Sequence, residues 1–199
     1  DEFIFPDFWS WIIFTIDTLI ESETPFWIKP HPNQIALSDE AFQLLLRKYP
    51  YLKTLSPRIT NTQLVNGGII CGVTAYGTVA HELAYMGVPS ICCAKHPHHS
   101  FDFCRTAKDI NEYQSFLQSP DARTSSKNVM QHQALAFYYM HNFSGGPDTI
   151  ALRHQFNNWF REVHNMESTS MLEELSKFQE LPAYNNFIEV LVRDLTNAQ

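Results

Sequence analysis

Short apolar runs alternate with amphipathic stretches through the first half of the chain. Two of the apolar runs have the length and composition of buried strands: IICGV (69–73) and VPSICCA (88–94). Apolar residues recur instead at intervals of three and four in EAFQLLLRK (40–48) and VAHELAYM (79–86), which predicts helices. Buried strands separated by helices are typical of a parallel sheet covered on both faces. The pattern therefore predicts an α/β fold with a Rossmann-like parallel sheet flanked by helices.

Other elements can be placed before the first of these strands. Asp7 or Ser10 is suited to cap a helix that ends near Glu21. The segment PFWIK (25–29) is short, apolar and aromatic, which predicts a strand that the following prolines end. The pattern of RITNTQLVNGG (58–68) is ambiguous, and we interpret it as a short strand and a turn.

Beyond Asp109 the apolar residues keep a helical spacing to the end of the chain. This change of pattern indicates a helical carboxyl-terminal extension after the α/β part. We therefore expect a domain over residues 1–120 and a helical extension packed on it over residues 121–199.

Composition narrows the class of protein. The chain has 199 residues, of which 44% are hydrophobic and 18% charged, so it can bury a core. Its net charge of −7 argues against a partner such as duplex nucleic acid, whose phosphates require clustered Lys and Arg. The cysteines lack the paired spacing of structural zinc sites, so we expect reduced, mostly buried thiols: Cys71, Cys92, Cys93 and Cys104.

No segment has the sequence of a membrane span. The longest apolar stretch, residues 3–20, is interrupted by Pro6, Asp7 and Asp17 and is too short to cross a bilayer. A buried or interfacial amphipathic helix is the better interpretation. The chain begins at Asp1 without Met, so we expect either a processed product or an excised piece of a longer protein. No signal peptide is visible.

The candidate chemistry lies in the turn between the strand 69–73 and the following helix. In an open parallel sheet, ligands bind beyond the carboxyl ends of the strands, where the amides of the next helix attract phosphate. Gly77 lets a phosphate approach the backbone, and Thr78 can cap the helix or face the ligand. His81 and Glu82 follow at spacings that place them with Thr78 on one helix face, where a carboxylate can accept hydrogen bonds from ribose.

A purely structural interpretation of this turn stays open. Gly77 and Thr78 can simply begin a helix, with His81 and Glu82 as a solvated pair. A second motif favours the binding site: in WIKPHPN (27–33), Lys29 and His31 leave a predicted strand in a stiff loop and suit a phosphate group. A histidine between two prolines can also be structural.

The two motifs together resemble a family. IKPHPN (28–33), VTAYGTVAHELAYMGVPSI (73–91) and HPHHSFDFCRTAKDINEYQSFL (96–117) look like the carboxyl-terminal half of bacterial GT-B glycosyltransferases. The similarity is to the capsule and surface-polysaccharide transferases that carry a His-Pro motif. It covers about residues 3–117 and weakens through the helical extension.

The resemblance implies that residues 1–120 bind a nucleotide-sugar donor, as half of a GT-B fold. It implies a catalytic role for His31 at the donor phosphate, phosphate binding at Gly77 and Thr78, and ribose binding by Glu82. It also implies a transfer without a metal ion or other cofactor. The remaining expected donor-binding residues are Lys29, Tyr76, His81, His96 and His98.

The histidine-rich segment 95–104 also suggests zinc. Its spacings match no structural zinc pattern and its prolines restrict convergence, so we expect no metal site there. We interpret it as a donor-facing loop, with Lys95 near phosphate and His96 or His98 near the sugar.

The resemblance further implies an acceptor, a cellular location and a second domain. The transferred sugar would go to a glycan or lipid-linked acceptor, in the cytoplasm or at the inner face of the cytoplasmic membrane, with peripheral association at most. A GT-B enzyme needs a second, amino-terminal domain, so we expect this chain to be inactive alone. Alternatives are a GT-B-like sugar-nucleotide epimerase, a polyol-phosphate transferase, or a nucleotide-sugar-binding module without catalysis.

Overall fold

A computed structural model describes residues 3–32, 36–122, 125–143, 146–163, 166 and 168–197. The last residue of the IKPHPN motif, Asn33, lies outside them. In chain order the elements are α1 Phe8–Glu21, α2 Ala36–Lys48, α3 Asn61–Asn66, β1 Gly72–Val73, α4 Val79–Tyr85, β2 Ser90–Cys92, a 3₁₀ helix Pro97–Ser100, β3 Cys104–Thr106, α5 Ile110–Gln118, α6 Lys127–Phe143, α7 Gly146–Val163, α8 Ser168–Gln179 and α9 Pro182–Asn197.

The three strands form a parallel sheet in the order β1-β2-β3. Gly72 pairs with Ser90, and Ser90 pairs with Cys104. Helix α4 connects β1 to β2, and the segment with the 3₁₀ helix connects β2 to β3, so that each connection returns the chain to the start of the next strand, as parallel pairing requires. The α/β fold with a parallel sheet flanked by helices is thus confirmed, and its assignment as half of a GT-B fold is taken up below as a proposal.

The two faces of the sheet carry separate apolar clusters, because successive residues of a strand point to opposite faces. Ile91 lies in the cluster of α1 and α5, with Leu19, Tyr113 and Leu117. The other face is covered by α4 and by the start of α6. Its buried residues include Ala80, Ala84, Cys92, Cys104, Met130, Ala134 and Phe137.

The first helix begins where the sequence predicts. The Asp7 carboxylate caps α1 by accepting a hydrogen bond of 2.6 Å from the amide of Ser10. The helix lies on the sheet through Ile16 and Leu19, which are buried. Within the described residues, every helix is too short or too polar to cross a lipid bilayer.

Two expectations about strands differ from the structure. The segment predicted as the strand 25–29 forms only a single parallel bridge, between Ile28 and Thr54. The segment 58–68, interpreted as strand and turn, contains helix α3, because Thr60 and Gln63 form a capping box at its start. The sheet also gains a strand that the sequence does not predict, β3.

The chain divides into two compact units, Asp1–Phe137 and Tyr138–Gln199. The first contains the sheet and its helices. In the second, α7, α8 and α9 pack around aromatic side chains that include Phe156, Trp159 and Phe178. The predicted division into domains 1–120 and 121–199 stays a prediction.

Candidate functional site

The carboxyl ends of the three strands meet at one edge of the sheet, because all three run in the same direction. The segments that leave this edge are residues 74–78, 93–96 and 107–109. The first two are joined directly, since the carbonyl of Ala75 accepts hydrogen bonds of 3.1 Å from the amides of Cys93 and Ala94. The structure therefore brings the predicted phosphate turn and the histidine-rich loop together.

Tyr76 and His96 stack on each other at this edge. Their rings are parallel to within 3°, with centroids 6.5 Å apart. The Tyr76 ring also contacts the Phe8 ring, with centroids 5.6 Å apart, so the start of α1 borders the edge as well. Tyr76 is 41% exposed, whereas His96 is half-buried. Both lie where the sequence predicts donor contacts.

In the turn before α4, the amides available to a phosphate group lie one residue later in the chain than expected. The amide of Gly77 donates to the Thr74 hydroxyl at 3.0 Å, so it is already used inside the protein. Within the described part of the chain, no hydrogen bond from the amides of Thr78 and Val79 is found. The Thr78 hydroxyl is exposed and does not cap the helix. A Cβ at Gly77 would lie 2.8 Å from the Thr74 oxygen, which is a structural reason for glycine.

His81 and Glu82 point in different directions, although the sequence places them on one helix face with Thr78. His81 is buried and its ring lies 4.9 Å from that of Phe137. Glu82 is exposed, and its carboxylate accepts a hydrogen bond of 2.6 Å from the Asn61 amide. The difference arises because adjacent helical residues are 100° apart, so that His81 packs inward against Phe137 while Glu82 reaches the surface.

Lys29 and His31 follow a segment that pairs outside the three-stranded sheet. The Ile28 amide donates to the carbonyl of Lys53 at 3.0 Å, and the Ile28 carbonyl accepts from Leu55 at 2.8 Å. Lys29 is half-buried and His31 is exposed. Their predicted roles at the donor phosphate stay predictions.

His98 faces the interior of the protein. Its ring has no exposed area and lies 4.2 Å from the ring of His96, between centroids. Its Nε2 is 3.7 Å from the sulphur of Cys92, and that sulphur is 2.9 Å from the sulphur of Cys104. Lys95, also assigned to this loop by the sequence, is exposed.

The two thiols of Cys92 and Cys104 titrate as a pair. The hydrogen bond between the two sulphurs lowers the pKa of Cys104, and His98 lowers it further. The same hydrogen bond and burial raise the pKa of Cys92 well above its usual value. Once the first thiol has lost its proton, the second keeps its own proton in the hydrogen bond to the thiolate, so the second ionisation is difficult.

Comparisons with protein-family models, with curated proteins and with solved structures found no match to this chain.

Two residues of this region were missed by the sequence analysis. Asn61 orients the Glu82 carboxylate, yet it lies in a segment interpreted as strand and turn; the Thr60 and Gln63 pair was the available signal for a helix there. Cys92 meets His98 and Cys104 through strand pairing, which no local spacing reveals.

Proposed function

We propose that this chain is the donor-binding half of a glycosyltransferase, which holds a nucleotide-activated sugar at the carboxyl edge of its parallel sheet. The observation that carries the proposal is the junction of the turn 76–79 with the loop 93–96 at that edge. Open α/β sheets bind nucleotides beyond the carboxyl ends of their strands. The order of the motifs, His-Pro, Gly-Thr-x-x-x-Glu and Gly-Val-Pro, supports the same assignment.

The phosphate groups would be held by the amides of Thr78 and Val79. Both amides lie at the amino-terminal end of α4, where the backbone dipoles favour an anion. Lys95 and Lys108 follow β2 and β3 and place two exposed cationic side chains on the same edge. On a chain with net charge −7, these two lysines are suited to a small anionic ligand rather than to a nucleic acid.

Glu82 would bind the ribose hydroxyls. The hydrogen bond from Asn61 fixes its carboxylate, so less side-chain freedom is lost when ribose binds. His31 would act at the donor phosphate and Lys29 beside it, while Tyr76 and His96 would border the sugar or the base. His81 and His98 would support the edge from behind, since both are buried.

The complete enzyme would include an amino-terminal domain that binds a glycan or lipid-linked acceptor. It would act in surface-polysaccharide synthesis, in the cytoplasm or at the inner face of the cytoplasmic membrane. The chain alone would then bind the nucleotide without turnover.

Isothermal titration calorimetry with UDP, CDP, GDP and CMP tests the proposal on the chain as it stands. We expect one of these nucleotides to bind, with an affinity reduced about tenfold by Glu82→Ala, which corresponds to about 1.4 kcal/mol. Asn61→Ala should cause a smaller loss, because the carboxylate remains but is less well oriented.

Glu21→Ala is the matched control. Phe8 borders the edge, and Glu21 lies at the other end of the same helix, about 20 Å away. This variant should bind with unchanged affinity. Failure of all four nucleotides to bind at millimolar concentration, or equal losses in Glu82→Ala and Glu21→Ala, would overturn the proposal.

A further inference from the structure

A second cluster of reactive side chains lies beneath the proposed donor edge, inside the protein. Cys92 ends β2, Cys104 begins β3, and His98 belongs to the 3₁₀ helix that connects them. Both cysteines and the histidine are buried, and their sulphur and nitrogen atoms all lie within 4.8 Å of one another. Two sulphurs and one imidazole nitrogen are a ligand set for Zn²⁺.

Ordinary packing does not account for the histidine. The His98 ring has no exposed area, its Nδ1 has no hydrogen-bond partner among the described residues, and its Nε2 faces the two sulphurs. Burying an imidazole with so little compensation is costly. A bond from Nε2 to a metal ion would offset that cost.

The strand register argues against a disulfide between Cys92 and Cys104. Cys104 pairs with Ser90 and Cys92 pairs with Thr106, so the two cysteines are offset by two residues on adjacent strands. With a strand spacing of about 4.8 Å and a rise of about 3.3 Å per residue, their Cα atoms are about 8 Å apart. Disulfides need Cα atoms closer than about 7 Å.

We propose that Cys92, His98 and Cys104 form a binding site for a zinc ion. In a tetrahedral site, sulphur and nitrogen ligands are about 3.6 Å apart and two sulphurs about 3.8 Å apart. The distance from Cys92 to His98, 3.7 Å, already fits. The two sulphurs, at 2.9 Å, need to separate by about 1 Å, which a small rotation of either thiol provides.

The three protein ligands leave a fourth position for a water molecule. The ion would link the end of β2, the 3₁₀ helix and the start of β3. It would thereby fix the segment that carries Lys95 and His96 to the proposed donor edge. The site revises the expectation that no metal binds, because its second sulphur, Cys92, lies outside the segment 95–104 that suggested zinc.

Titration of the reduced protein with Zn²⁺ and with Co²⁺ tests the site. We expect one ion to bind per chain, a thiolate-to-cobalt charge-transfer absorption in the near ultraviolet, and a higher melting temperature with Zn²⁺. Cys104→Ala should weaken zinc binding on the order of a hundredfold, and it should reduce both the charge-transfer absorption and the rise in melting temperature, because only the Cys92 thiolate remains.

Cys93→Ala is the matched control, since Cys93 is next to Cys92 in sequence but belongs to the cluster on the opposite face of the sheet. It should bind both ions as the wild type does. The absence of cobalt–thiolate absorption in the wild type, or its equal loss in Cys93→Ala and Cys104→Ala, would overturn the site.

X-ray absorption of the zinc-loaded wild type gives a test that needs no variant to fold. We expect two sulphur ligands at about 2.3 Å, with nitrogen or oxygen ligands at about 2.0 Å. A shell of nitrogen and oxygen alone would contradict the assignment. The zinc experiments are independent of nucleotide binding, so either proposal can fail alone.

Discussion

The hydroxyl of Tyr113 joins two helices on one face of the sheet. It accepts a hydrogen bond of 2.7 Å from the Trp11 indole and shares one of 2.9 Å with the Thr15 hydroxyl. Tyr113 lies in α5, whereas Trp11 and Thr15 lie in α1, and the tyrosine has no exposed area. A buried polar network of this kind fixes how the two helices meet.

Tyr113→Phe should destabilise the protein by about 1–3 kcal/mol, because it leaves the Trp11 N–H without its acceptor in the interior. Urea unfolding followed by circular dichroism measures the loss. Tyr51→Phe is the control. Because Tyr51 is 95% exposed, this substitution should leave the free energy of unfolding almost unchanged. Equal midpoints for the two variants would show that the network adds no stability.

Cys93 makes stability depend on alkaline pH. Burial raises the pKa of its thiol from the usual 9.0 to about 12 in the folded protein. The folded state therefore keeps the thiol neutral, and the stability that this provides is complete below pH 9 and is lost as the pH rises toward 12.

Between pH 8 and pH 10 the wild type should lose about 1 kcal/mol more stability than Cys93→Ala. Urea unfolding of both proteins at the two pH values, with a thiol-free reductant, gives the comparison. If the wild type and Cys93→Ala lose the same amount of stability between pH 8 and pH 10, the thiol of Cys93 does not cause the alkaline loss.

At the scale of elements, helix α4 ends at Tyr85, and the turn that follows it contains Gly87 in the left-handed conformation, with φ of +85°. Such an ending favours glycine, since any Cβ is strained there. A Cβ would also lie 2.6–2.8 Å from the side-chain carbons of Lys127, at the start of α6. Gly68 has a similar φ of +89°, but a Cβ there would meet nothing within 4 Å.

Gly87→Ala should therefore destabilise more than Gly68→Ala, which should itself cost about 1 kcal/mol through backbone strain alone. Adding Lys127→Ala to Gly87→Ala should remove the difference, because it removes the crowded side chain. Thermal and urea unfolding of the four proteins measure these costs. A larger cost at Gly68 would show that contact with Lys127 does not matter.

The helices could be predicted from the sequence more completely than the sheet could. Helical spacing and a capping residue such as Asp7 are local signals, and they place α1 correctly. Strand β3 lacks such a signal because Arg105 interrupts it. The guanidinium is accommodated by partners far along the chain: it donates to the carbonyls of Ser119 and Pro120 and lies 4.9 Å from the Phe116 ring centroid.

Parts of the candidate site that lie within one segment of the chain could be predicted from the sequence. Parts that depend on contacts between distant segments could not. The turn Tyr76–Gly77–Thr78 follows a strand, as its sequence indicates. The burial of His81 and His98 depends on Phe137, which lies more than thirty residues later in α6. Their inward orientation is therefore a tertiary effect that local spacing does not contain.

At the scale of the whole chain, the first compact unit, Asp1–Phe137, holds every feature on which the two proposals depend. Its sheet carries the proposed phosphate-binding turn after β1, the histidine loop after β2, and the proposed zinc ligands Cys92, His98 and Cys104 between the end of β2 and the start of β3. The second unit, Tyr138–Gln199, consists of helices packed around aromatic rings. Nucleotide binding at the carboxyl edge of the sheet is the central property proposed for this unit.

Amide chemical-shift mapping with the nucleotide that binds most tightly tests that claim most directly. In ¹H–¹⁵N spectra of the labelled chain, we predict the largest shifts at Thr78 and Val79, with smaller ones in the loop 93–96, because the phosphate would accept hydrogen bonds from those two amides. Shifts confined to residues outside the turn 76–79 and that loop, or no shifts at saturating nucleotide, would contradict it.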